Sequence, residues 1–413
     1  MIGPTFETSV LDNGLRVVSA NLPHARSVAL SVGFGVGSAH EREEEAGWAH
    51  LLEHLQLSSD AVLERSRERT HLLKSFGANF NASTEAEVTS YTLHVASRHW
   101  QAASKLLCEA LSRPLLAADS IAVERMVVEA EASLRAADPF ALFSWNTLAH
   151  LFAGTPFARS DGRLSYGTSE TLGAATPERL AAWRERGYSA SRAWVIGCGA
   201  IDHTELSEWA ATLELPGGEG IEVPGSEAWV PSVDTHLVLP SHDQTHLALS
   251  WPTFGLSDPR SVHMMLISAW LGGGPGSRLY EEIRGRRGIA YTLFTDHLQY
   301  SAVGALQFVM QTPESARADE AVQVATQIIS GEEDNLSESE FALLKQEIIG
   351  QLDLSSDNAF HLMNLATSHL ASYGYVRQLD DIVTRIEAVD LAELRATWHE
   401  FLRPELVCLS RLN

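Results

Sequence analysis

Apolar positions along the chain fall into two recurring patterns. The segment SVALSVGFGVGS (27–38) reads as a strand ending in glycine. It is followed by AGWAHLLEHLQL (46–57), where Leu51, Leu52 and Leu55 form an apolar stripe at helical spacing behind acidic residues that suit a helix N-terminus. The same order returns later, with THLALSWPTFGLS (245–257) leading into the helical stretch SVHMMLISAWLG (261–272). Further along each half, an alternating segment, VTSYTLHVA (88–96) or GALQFVMQT (304–312), precedes a long amphipathic stretch.

Between the halves lies LPGGEGIEVPGSEAWVPS (215–232), rich in Gly, Pro and acid and without apolar periodicity. The pattern predicts an α+β chain built from a duplicated unit, each half an α/β sandwich of an antiparallel-rich sheet flanked by helices. Residues 1–215 form the first half, 216–232 the linker and 233–413 the second half.

Composition narrows the class. A length of 413 residues fits two to three domains, and 45% hydrophobic with 20% charged residues describes an ordinary globular chain. No apolar run reaches the length of a transmembrane helix, and the N-terminus lacks the basic and apolar regions of a signal peptide. Cys108, Cys198 and Cys408 are odd in number and far apart, which suggests buried thiols in a reducing compartment and a cytoplasmic protein. The net charge of −23 argues against nucleic-acid or anionic-membrane partners.

Candidate chemistry concentrates in GWAHLLEH (47–54). At about 100° per residue, His50, Glu53 and His54 share one helical face. Imidazoles at i and i+4 can converge on one zinc ion, and the intervening Glu53 is placed to take a proton from water as a general base. This is the inverted form of the H-E-x-x-H arrangement. A catalytic zinc needs a third protein ligand, and SIAVERMVVEAEASLRAA (120–137) offers Glu124, Glu129 and Glu131. Glu124 and Glu131 share a face but lie about 10 Å apart along the axis, so only one can ligate while the other can steady the site from behind. Spacing alone does not choose between them. The remaining histidines His40, His71, His94, His99 and His150 show no ligand spacing. LGGGPG (271–276) lacks the G-K-[ST] ending of a phosphate loop.

The H-x-x-E-H motif, the 77 residues from His54 to Glu131, and the ER-x-V-x-x-x-E wording around Glu131 together resemble the pitrilysin–insulysin zinc peptidases. The resemblance is to the bacterial branch similar to mitochondrial processing peptidase. It extends through LDNGLRVVS (11–19), GVGSAHE (35–41) and NFNAST (79–84) to LGGGPGSRLYEEIRGRRGIAY (271–291). It implies that His50, His54 and Glu131 bind one zinc ion per chain, with Glu53 as base and Glu124 in support. It implies that Asn81 and Ala82 hold extended substrate backbone by β-augmentation, and that Arg284 and Tyr291 contact substrate and the tetrahedral oxyanion. A peptide substrate and a dimeric chamber follow from the same resemblance, as a homodimer or as a heterodimer with a related subunit. Two rival readings remain: a non-catalytic subunit such as the respiratory-complex core proteins, and a zinc-stabilised peptide-binding module. Trp48 stands where relatives have a small aliphatic residue, and LQLSSD (55–60) departs from the usual aromatic and Gly-Thr turn.

Overall fold

A computed structural model describes residues 3–57, 64–114, 116–160, 163–223, 235–237, 244–313, 315–331 and 335–413. The chain forms two sheets. The first contains β1 (Phe6–Val10), β2 (Arg16–Asn21), β3 (Ser27–Phe34), β4 (Asn79–Thr84), β5 (Thr89–Ala96) and β6 (Ala193–Gly199). Their spatial order is β1-β2-β6-β3-β5-β4. The second contains β7 (Thr235–Leu237), β8 (Thr245–Phe254), β9 (Thr292–Gln299), β10 (Val303–Thr312) and β11 (Cys408–Leu412), in the order β7-β11-β8-β10-β9.

Setting β1 aside, the two orders correspond strand for strand. The one parallel pair of each sheet, β2 with β6 and β7 with β11, falls in the same place; every other pair is antiparallel. The α+β duplication expected from the apolar pattern is therefore present in the topology itself.

Local sequence explains the elements that matter for the site. In β3 and β6 nearly every residue is buried, Ser31 included, as expected of strands covered on both faces. The helix Trp48–Leu57 buries Trp48, Ala49, Leu51, Leu52 and Leu55 in the first core, together with Leu30, Val32, Phe34 and Leu93 of the sheet. Each fully buried leucine contributes about 1.5–3 kcal/mol, so this stripe fixes which face of the helix is left for chemistry. The second core gathers Leu249, Trp251, Leu266, Ile267, Leu271 and Phe308 around the helix Ser261–Gly272.

The compact units do not follow the halves of the sequence throughout. One unit comprises 1–134, 159–225 and 352–380; the other comprises 135–158, 226–351 and 381–413. The helix Ala359–Tyr373, from the second half, lies on β3 and β6, with Phe360 stacked on His94 at 5.8 Å. Gln378 closes on the backbone of Phe6, donating to its carbonyl at 2.8 Å and accepting from its N–H at 2.9 Å. The helix Pro139–Leu151, from the first half, lies on β8 and β11, where Phe143 joins Ala248, Val309 and Leu412. The cause is apolar coverage: each sheet has an outer face that its own half leaves bare. The first part of the expected linker is held in place, because Ser189 and Ser191 both donate to Gly218 O and Arg192 donates to Ile221 O. Its remainder, 224–232, lies outside the described residues. None of the three cysteines is in a disulfide, and among the described residues no helix is long and apolar enough to cross a membrane.

Candidate metal centre

The helix Trp48–Leu57 begins at a built N-terminus. Gly47 adopts a left-handed backbone, and a Cβ there would lie 2.6 Å from the backbone of Gly167, so only glycine fits. The buried Glu41 carboxylate accepts from Gly47 N–H at 2.9 Å and Ala49 N–H at 2.7 Å, satisfying donors that a helix start leaves unpaired. Burial pushes Glu41 up to about 8, while these two N–H groups pull it back.

With the leucines turned inward, His50, Glu53 and His54 emerge together on the opposite face. The two Nε2 atoms are 3.2 Å apart, and Glu131 Oε2 lies 3.7 Å from His50 Nε2 and 3.6 Å from His54 Nε2. Four ligands at about 2.0–2.1 Å in a tetrahedron are separated from each other by about 3.4 Å. The three observed separations bracket that value, so these residues fit a zinc ion with a fourth position left for another ligand. His50, His54 and Glu131 are the one group of three or more potential ligands among the described residues that could hold a metal.

Glu124 stands apart from this group. Its Oε2 lies 3.1 Å from His54 Nδ1, on the far side of the ring from Glu131. A carboxylate only accepts, so Nδ1 carries the proton and the neutral ring presents its Nε2 lone pair to the metal position. Glu124 is buried, 8% exposed, whereas 39% of the Glu131 side chain is exposed.

Electrostatics follow from burial and crowding. Burial, then the charge of His54, lowers His50 to about 4 and keeps it neutral, the form that ligates. For His54 burial acts downward, but the hydrogen bond to Glu124 and the charges of Glu53, Glu124 and Glu131 outweigh it and raise the ring. Burial raises Glu53, with Glu131 adding to the effect, while His54 and a hydrogen bond from Thr84 oppose it. A bound dication would favour the ionised carboxylates and the neutral imidazoles.

Asn81 and Ala82 sit on β4, the edge strand, which packs against the helix Trp48–Leu57. Alternation along β4 leaves Asn79, Asn81 and Ser83 exposed and half-buries Phe80, Ala82 and Thr84. Arg284 and Tyr291 belong to the other unit. The short wide-turned helix Tyr280–Arg286 holds the Arg284 guanidinium 4.8 Å from the Tyr280 ring and 4.2 Å from the Tyr291 ring, with a hydrogen bond to the Tyr280 hydroxyl. Arg286 and Arg287 pair with Glu282 and Glu320, whereas the Arg284 guanidinium lies against the two tyrosines. Tyr291 is 76% exposed.

Three residues of the site have no role assigned by sequence reasoning. Glu41 lies in GVGSAHE but carries no linear signal of its capping role. Tyr166 stands edge-on to His50 at 4.9 Å and comes from a distant segment. Thr84 donates to Glu53 Oε2 at 3.0 Å, and period-two alternation from Phe80 could have marked it as facing the helix. Trp48 points away from the metal face: it is buried, donates to Thr171 O at 2.9 Å and lies under the Arg179 guanidinium. Of LQLSSD, residues 58–60 lie outside the described residues.

Residues 16–160 match the family described as insulinase (peptidase family M16), and residues 174–348 match its companion, the peptidase M16 inactive domain. An uncharacterized zinc protease of Mycobacterium leprae is 30% identical over 403 residues, covering 95% of this chain and 88% of its own. Another, from Bacillus subtilis, is 25% identical over 387 residues, covering 92% and 91%. Among solved structures, a protease from Helicobacter pylori superposes with a TM-score of 0.86 at 19% identity over 100% of both chains. A peptidase M16 inactive domain from Pseudomonas fluorescens gives 0.85 at 20% identity over 98% of both. At these identities the structural likenesses concern the fold.

Proposed function

The chain belongs to the insulinase–pitrilysin peptidases, family M16, and from that premise we propose that it is a zinc-dependent endopeptidase acting on short or unfolded peptides. The observation that carries this reading is the convergence of His50 Nε2, His54 Nε2 and Glu131 Oε2, with Glu53 beside them on the same helix.

Bound zinc would supply a Lewis acid that acidifies water and polarises a carbonyl. The chain's own residues account for the rest. Glu53, 3.9 Å from His50 Nε2, accepts the proton of the attacking water and later passes it to the leaving amine. Glu124 holds His54 in the tautomer that ligates. The open edge of β4 at Asn81 and Ala82 adds an extended peptide as a further strand, which selects substrates without folded structure. Arg284 and Tyr291 contact the substrate and donate to its carbonyl oxygen as negative charge develops. A chain of two units, in a family whose chambers use four, works as a dimer; because this chain carries both motif sets, a homodimer is the simplest assembly.

The test is metal content together with cleavage of quenched peptides by wild type and Glu53→Gln. The expected result is about one zinc per chain in both proteins, with cleavage reduced about 10²–10⁴-fold in the variant. Equal residual cleavage in the two would refute the catalytic reading. A wild type that holds no zinc after supplementation would refute the metal site. Sedimentation of the wild type as a monomer under turnover conditions would remove the chamber.

A further inference from the structure

The hydroxyl of Thr84 is in contact with the base. It donates to Glu53 Oε2 at 3.0 Å, and that same oxygen is the one 3.9 Å from His50 Nε2, turned toward the metal position. A carboxylate oxygen carries two lone pairs, so one bond from Thr84 leaves a second acceptor site for the proton of water. The Glu53 side chain is 12% exposed, and Thr84 is the one residue outside its helix that hydrogen-bonds it among the described contacts.

Thr84 is itself held from two directions. It is the last residue of β4 and pairs with Thr89 of β5, whose hydroxyl donates to Val36 O at 2.9 Å. The turn that follows is pinned to the segment after β3: Ser38 N–H donates to Glu85 O at 3.0 Å, and Ala39 N–H to Ala86 O at 2.8 Å. Gly37 permits that approach, since a Cβ there would lie 2.1 Å from Glu85 O. A hydroxyl fixed this firmly restricts the carboxylate it contacts.

We infer that Thr84 is a positioning residue for the reaction: its hydroxyl holds the Glu53 carboxylate in the orientation that receives the proton of water. The inference rests on the peptidase reading and deepens it. It also ties the base to the strand that takes the substrate, because Thr84 shares the half-buried face of β4 with Ala82, while Asn81 lies on the exposed face.

The experiment compares Thr84→Val, which keeps the shape and removes the donor, with Thr84→Ser, which keeps the donor. Loss of one oriented hydrogen bond in the transition state corresponds to a fall in kcat of about tenfold for Thr84→Val. KM should stay within about twofold and Thr84→Ser within about threefold of wild-type kcat, the split expected when only transition-state positioning is lost. Zinc affinity, measured by chelator competition, should be the same in all three. In the Glu53→Gln background Thr84→Val should cost nothing more, since it acts through Glu53. An unchanged kcat for Thr84→Val, or a Thr84→Ser that falls as far, would overturn the inference. A crystal structure of zinc-loaded Thr84→Val gives a readout without turnover: a Glu53 carboxylate rotated from its place supports the inference, and one left in place overturns it. A zinc-loaded wild type without peptidase activity would count against the proposed function, and that structure would still decide the role of Thr84.

Discussion

The helices Trp48–Leu57 and Ser261–Gly272 hold equivalent places in two sheets of the same topology. Each follows the corresponding strand, β3 or β8, and each lies against the edge strand of its sheet, β4 or β9. In both units a threonine of the edge strand bonds the helix. Thr295 of β9 donates to the Ser268 carbonyl at 2.6 Å, a neutral and purely architectural link. Thr84 of β4 donates to a carboxylate. The second helix buries Met264, Leu266, Ile267, Ser268 and Leu271, and its one histidine, His263, is satisfied by Thr397 at 2.8 Å. The first helix gives a whole face to His50, Glu53 and His54, whose half-buried polar atoms need partners from other elements. The scaffold accommodates either choice, and the chemistry lies in which side chains occupy the face.

The largest expected effect comes from removing a ligand. His50→Ala or Glu131→Gln should abolish stoichiometric zinc, read by metal analysis after dialysis, whereas His263→Ala in the equivalent helix should leave zinc content unchanged. Zinc loss in His263→Ala would break the comparison. Next, Tyr291→Phe should lower kcat/KM about 10²–10³-fold, the magnitude of one lost oxyanion donor, with zinc fully retained. Full activity in that variant would remove the oxyanion role assigned to Tyr291. Glu124→Gln should weaken zinc binding about 10–100-fold without eliminating it, measured by chelator titration, since it removes support behind His54 and not a ligand. The smallest effect sharpens the contrast between the two threonines. Thr295→Val should cost about 1 kcal/mol in urea unfolding and leave cleavage at the wild-type rate. A loss of activity in Thr295→Val would mean that the two edge-strand links are not different in kind.

The duplicated α+β plan was legible because it rests on local pattern. The strands 27–38, 88–96, 245–257 and 304–312 and the helices 46–57 and 120–137 follow from apolar period and end signals. The metal set was legible in part. His50, Glu53 and His54 are joined by helical phase within one turn, so spacing suffices for them. Where Glu124 and Glu131 stand relative to the histidines depends on the position of a second helix, which phase cannot supply: Glu131 gathers with His50 and His54, and Glu124 meets the other nitrogen of His54. Thr84, Tyr166 and Glu41 reach the site through tertiary contacts at long sequence separation, where no periodicity carries information. The exchange of 135–158 and 352–380 between the units was illegible for a related reason: an amphipathic helix states that it will cover an apolar face without stating whose.

That exchange has a consequence for how the protein is made. During synthesis β6 leaves the ribosome long before the helix Ala359–Tyr373 that covers it, so the outer face of β3 and β6 must wait uncovered while the second half is translated. The nascent first unit therefore passes through a stage in which that face is exposed. A gene cut at the linker would freeze each fragment there, with a sheet whose cover is encoded in the other piece.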